Sequence, residues 1–129
     1  MTRDDVARWV AGYEQAWRSP GTDGLTALFA DDARYYRSPY HEPVVGLADI
    51  QAMWEAERDG PDEAFTLSSE IVAVDGGAAV VRVEVIYGDP PRQDYRDLWV
   101  IQFDDSGRAV RYEEWPFWPT HGTSPTPES

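Results

Sequence analysis

The chain reads as a single α+β domain, with helices first and a long antiparallel sheet after them. Three observations carry that expectation. Apolar residues recur at three- and four-residue spacing in the first half, the period of a helix with one buried stripe. The second half alternates large and polar residues, the period of strands. Turn signals at Asp75-Gly76-Gly77, Asp89-Pro90-Pro91 and Asp104-Asp105-Ser106-Gly107 divide that half into runs of strand length. At 129 residues, two domains would each fall short of a self-sufficient core. Residues 1–118 are expected to form the domain. Pro119 to Ser129, rich in proline and without large apolar residues, is expected to be a frayed tail.

The elements follow in order. Thr2 can cap a helix whose third position is Asp5, and Val6, Trp9, Val10, Tyr13 and Trp17 form its inward stripe. Ser19-Pro20-Gly21 ends it. Thr22 to Phe29 reads as a second, shorter helix with Leu25, Leu28 and Phe29 on one face. Asp31-Asp32 turns into a first strand, Ala33 to Ser38, and Pro39 and Pro43 keep the following loop irregular because each lacks a backbone donor. A third helix is expected from Leu47 to Arg58, stopped by Asp59-Gly60-Pro61. The strands then run Ala64 to Val74, Ala78 to Gly88, Gln93 to Phe103 and Arg108 to Phe117, a meander rather than parallel crossovers.

Composition excludes several functions. The 11 basic and 24 acidic residues give a net charge of −13, the wrong sign for nucleic acid or an anionic membrane surface. The basic residues are all arginine and there is no cysteine, so Schiff-base lysines, thiol nucleophiles, thiolate zinc sites and disulfides have no residues to form them. His41 and His121 are too few for a histidine-rich metal centre, and no metal or cofactor is expected. No signal-peptide pattern and no apolar run of membrane-spanning length is present, which makes a cytoplasmic protein the default expectation.

Strand parity sorts the candidate site residues. Val81, Val83, Val85 and Tyr87 share one face; Val80, Arg82, Glu84 and Ile86 share the other. Tyr95, Asp97, Trp99, Ile101 and Phe103 lie together, as do Val110, Tyr112, Glu114 and Pro116. Parity does not say which set faces the helices. Charges recur within apolar sets and both faces keep aromatics, so either one face lines a polar-spotted cavity or a partner subunit covers the other. Asp97, if buried, needs a partner, and Arg96 points the wrong way. Ser38 and His41 do not read as a nucleophile and base, because no acid is placed to orient the imidazole.

The runs Tyr13-Glu14-Gln15-Ala16-Trp17, Gly24 to Ala33, Ser38-Pro39 with Gly46 and Ile50, Tyr95-Arg96-Asp97-Leu98-Trp99, Asp105 to Arg108 and Glu113-Glu114-Trp115-Pro116 resemble the nuclear transport factor 2-like superfamily, and within it the SnoaL-like proteins. The resemblance implies a cone: a strongly curved antiparallel sheet around three helices, with a pocket at the wide end and a homodimer formed through the sheet. The fold hosts unrelated chemistries, so activity must be argued from the site. Against the ketosteroid isomerases, Tyr13 falls at the oxyanion-hole phenol, but Ser38 stands at the base position and Trp99 near that of the acid. Two of the three roles are lost. The limonene-epoxide hydrolases fit better. By that resemblance Glu114 would activate water, Glu84 would protonate the leaving oxygen, Arg82 would clamp between them, and Tyr36 and Ser38 would hold the water. Tyr13, Trp17, Ser38, Trp54, Asp97, Trp99 and Tyr112 are expected to bind the substrate. The reading is a cofactor-free acid–base enzyme of cyclase, isomerase or epoxide hydrolase type on a small apolar ring or epoxide. The alternative is a non-catalytic ligand-binding or dimeric interaction module.

Overall fold

The computed structural model describes residues 1–57, 64–88 and 93–118. Helix α1 spans Arg3–Arg18. Its start is the expected capping box: Thr2 Oγ1 accepts from the Asp5 N–H at 3.1 Å, and the Thr2 N–H donates to Asp5 Oδ2 at 2.9 Å. These bonds hold the Asp5 carboxyl below the ordinary aspartate range, the Thr2 backbone bond being the largest cause. The buried stripe is Val6, Trp9, Val10, Tyr13 and Ala16. Gly12 lets the helix approach closely, since a Cβ there would lie 3.1 Å from Leu28 Cδ2.

The second expected helix is absent. Residues Asp23–Ala27 form a 3-10 turn, and Phe29 already belongs to strand β1, Phe29–Tyr36. Leu28 explains the change. Its carbonyl accepts from the Trp9 indole N–H at 2.9 Å and from the Ala109 N–H at 2.8 Å, which ties the segment into the sheet after a single turn. Two α-helices therefore stand where three were expected. The second, α2, spans Leu47–Glu57 and buries Ile50 and Trp54. A short strand the sequence did not announce, β2 (Val44–Val45), precedes it and pairs with β1.

Strands β3 (Phe65–Asp75), β4 (Ala78–Tyr87), β5 (Gln93–Phe103) and β6 (Ala109–Phe117) form the expected meander. The β3–β4 turn places Gly76 at φ 58°, where glycine carries no Cβ penalty. In the β5–β6 turn Asp104 Oδ1 accepts from the backbone of Ser106 and Arg108 and from the Ser106 hydroxyl. The six-stranded sheet has the order β2-β1-β6-β5-β4-β3. It is mixed rather than antiparallel, because β1 runs parallel to β6. Local periodicity carries no information on the direction of that long-range pairing.

Both helices pack on one face of the sheet. Trp9 contacts the rings of Phe29, Trp99, Phe103 and Tyr112, and the core continues through Val81, Val83 and Ile101. No helix among the described residues is long and apolar enough to cross a membrane. The expected tail, the Asp59-Gly60-Pro61 stop and the Asp89-Pro90-Pro91 turn lie outside the described residues.

Candidate functional site

At one end of the inner face the packing opens into a cavity of about 1230 Å³. Alternation along β5 and β6 delivers its acidic groups. Asp97 follows the inward parity of Trp99 and Ile101, and Glu114 that of Tyr112. Register sets them near each other: Trp99 pairs with Glu114, and Asp97 with Pro116. The two carboxyls lie close enough for each to perturb the other's proton affinity.

Their environments differ, and so do their proton affinities. Burial raises Asp97 to about 6, while hydrogen bonds from Glu114, the Trp99 indole and the Trp115 amide favour its charged form. The indole donates to Oδ2 at 3.2 Å and the Trp115 N–H to Oδ1 at 3.1 Å. Glu114 is raised well above the ordinary glutamate range, first by burial and then by the negative charge of Asp97. The Tyr112 hydroxyl, donating to Glu114 Oε1 at 3.2 Å, and the Arg37 charge only partly offset this. Asp97 is thus the more acidic member of the pair and Glu114 the one that holds its proton more tightly.

Above the acids stands a cluster of phenols. The Tyr13 and Tyr35 hydroxyls are 3.2 Å apart, and the rings of Tyr13 and Tyr112 stack with centroids 5.8 Å apart. Burial raises the pKa of Tyr13, Tyr35 and Tyr112 well above that of the free phenol, so all three remain neutral hydrogen-bonding groups. Trp17, Phe65, Leu67, Val85, Tyr87 and Tyr95 supply the apolar wall. Arg18 holds Phe65 in place, its guanidinium 3.8 Å from the ring centre and its Nη2 donating to the Phe65 carbonyl at 3.0 Å.

The structure separates the expected residues. Glu114, Asp97, Tyr13, Trp17, Ser38 and Trp99 line the cavity. Tyr112 lies buried beneath it and reaches it through Glu114. Arg82 and Glu84 do not converge with Glu114. The inward set on β4 is Val81 and Val83, 0% and 1% exposed, so both charges point to the outer face. There Arg82 pairs with Glu70, and Glu84 stands in register between Ser68 and Arg96. Tyr36 is also outside, its ring beneath the Arg111 guanidinium at 4.5 Å; its neighbour Tyr35 takes the inward position. Trp54 sits in the core against Tyr13 and Trp17 rather than on the cavity surface, and its indole N–H has no acceptor among the described residues.

Sequence reasoning treated Asp97 as a binding residue and missed its partnership with Glu114. The signal was present, because an acid sharing a face with Trp99 and Ile101 is an acid in an apolar layer. It also missed that Ser38 Oγ lies 2.6 Å from His41 Nδ1 at the cavity lip. Among the described residues no group of three or more histidines, cysteines or acids is arranged to hold a metal ion.

The chain belongs to the SnoaL-like domain family, whose model matches residues 6–112. No curated protein sequence matches it. Solved structures do. An NTF-2 like protein of unknown function from Burkholderia xenovorans LB400 is 16% identical with a TM-score of 0.70, over 95% of this chain and 88% of that one. A candidate ketosteroid isomerase from Kribbella flavida DSM 17836 is 24% identical with a TM-score of 0.67, over 96% and 84%. An LEH-like epoxide hydrolase of M. tuberculosis is 17% identical with a TM-score of 0.65, over 88% and 84%. These likenesses establish a shared fold.

Proposed function

We propose that the protein binds a small apolar molecule in this cavity and transforms it by cofactor-independent proton transfer. The observation that carries the reading is the Asp97–Glu114 pair, two carboxyls on one apolar wall whose proton affinities are pulled apart. Asp97, ionised at neutral pH, is the general base and takes a proton from water or from a carbon beside a carbonyl. Glu114, still protonated, is the general acid and gives its proton to the oxygen that gains negative charge. Transfer of the proton gained by Asp97 to Glu114, the member of the pair that holds it more tightly, resets the pair. Tyr13 donates to the same developing charge. The class is that of a cyclase, isomerase or epoxide hydrolase acting on a ring or epoxide substrate, with the pair Asp97–Glu114 in the place first assigned to Glu84 and Glu114.

The test is product analysis after incubation with cyclohexene oxide and, separately, 3-cyclohexen-1-one. Wild type is expected to convert at least one of them. Asp97→Asn and Glu114→Gln are each expected to slow that conversion by about 100-fold or more, the usual scale of acid–base contributions. If both compounds quench cavity tryptophan fluorescence and neither is converted, the protein is instead a non-catalytic ligand-binding module of the same fold.

We also propose a homodimer through the outer sheet face. Support comes from Leu98 and Trp115, neighbours in register that are 38% and 42% exposed, and from the alternation of Arg82, Glu84, Arg96, Arg111 and Glu113 around them. Mixed charge of this kind can complement itself across a two-fold axis.

A further inference from the structure

The cavity's lip carries the basic side chains of Arg37 and His41. We propose that Arg37, Ser38 and His41 form a carboxylate-binding subsite, so that the ligand has an apolar body and an anionic terminus. The inference rests on the cavity being a ligand site, as proposed above.

Arg37 and His41 are the basic residues among those described that line the cavity, and they lie on one short segment after β1. In a chain of net charge −13 the overall field repels anions, so an anionic group is accepted only where a local cation offsets that field. Arg37 is such a cation. It pairs with Glu57 Oε1 at 2.6 Å, with both side chains near half exposure at 44% and 45%. An ion pair this accessible to water is weak, and a guanidinium with five N–H donors keeps some of them available beside one carboxylate. An incoming carboxylate can share the guanidinium with Glu57 or displace it.

Ser38 and His41 add a second donor whatever the imidazole tautomer. If the Ser38 hydroxyl donates to Nδ1, the Nε2–H is left free. If Nδ1–H donates to Ser38, the hydroxyl proton is left free. The acidic wall repels an anion, so it directs the charged end toward the lip. The apolar body then lies along Trp17, Phe65, Leu67 and Tyr87, which line the same cavity.

A matched pair of probes tests this: 4-cyclohexylbutanoate and 4-cyclohexylbutan-1-ol, titrated at pH 7.5 against the fluorescence of the cavity tryptophans. Wild type is expected to bind the acid about tenfold or more tightly than the alcohol, the scale of one charge-assisted hydrogen bond. Arg37→Gln is expected to bring the acid to the level of the alcohol without changing the alcohol. Arg37→Lys, which keeps the charge and loses the fork, retains part of the preference. Glu57→Gln, which removes the competing carboxylate, is expected to tighten the acid about two- to fivefold and leave the alcohol unchanged. Equal binding of the two probes by wild type, or an acid preference that survives in a folded Arg37→Gln protein, overturns the subsite alone. If neither probe binds, the ligand-pocket reading falls and the subsite with it.

Discussion

Asp97 and Glu114 differ in chemistry because they differ in partners. Asp97 accepts from an indole and a backbone amide, which leaves it the more acidic of two partly buried carboxyls. The consequence for stability has a definite sign. An aspartate that holds its proton to about pH 6 in the folded state, against 3.8 as its ordinary value, binds more protons folded than unfolded between those limits. Folding stability contributed by this group therefore falls as pH rises from about 4 to 6, and the cost remains at higher pH. Asp97→Asn removes that slope. Urea unfolding of the variant at pH 4, 5, 6 and 7 is expected to show a flatter profile than wild type over this window; a wild-type-like decline contradicts the assignment.

At the scale of elements, much of the layout is legible in the sequence. The Thr2–Asp5 cap, the α1 stripe, the start of α2 and all four strands of the meander follow from caps, turn dipeptides and alternation. What fails is what local pattern does not encode. The segment around Leu25 has helical spacing, but pairing of Leu28 with the sheet ends it after one 3-10 turn. Tyr35 shares the inward parity of Phe29 and Ala33, which leaves Tyr36 outside; it is the resemblance, not alternation, that points to Tyr36. Arg82 and Glu84 were placed inside by likeness to an Arg-x-Asp pattern, although Val81 and Val83 on the same strand needed that face more. The contrast is measurable. Val83→Ala is expected to cost about 2 kcal/mol through lost packing. Arg82→Ala, which breaks only an exposed pair with Glu70, is expected to cost under about 1 kcal/mol and to leave ligand binding unchanged. Denaturation midpoints that rank the two variants the other way contradict the facing of β4.

For the whole molecule, one sheet serves two surfaces. Its inner face carries the core and the cavity; its outer face carries interspersed charge around Leu98 and Trp115. If that face joins two copies, Leu98→Glu buries an unpaired charge at the contact and sedimentation velocity is expected to show monomer where wild type shows dimer. Identical sedimentation of variant and wild type argues against this face. The proposed catalysis depends on neither the outer face nor its charges, only on a proton held unequally by two carboxyls inside. That sharing can be observed directly by following the side-chain carboxyl ¹³C resonances of Asp97 and Glu114 from pH 3 to 9. The account predicts that Asp97 titrates near 6 while Glu114 remains protonated at pH 7; two carboxyls that both lose their protons near pH 4 would contradict it.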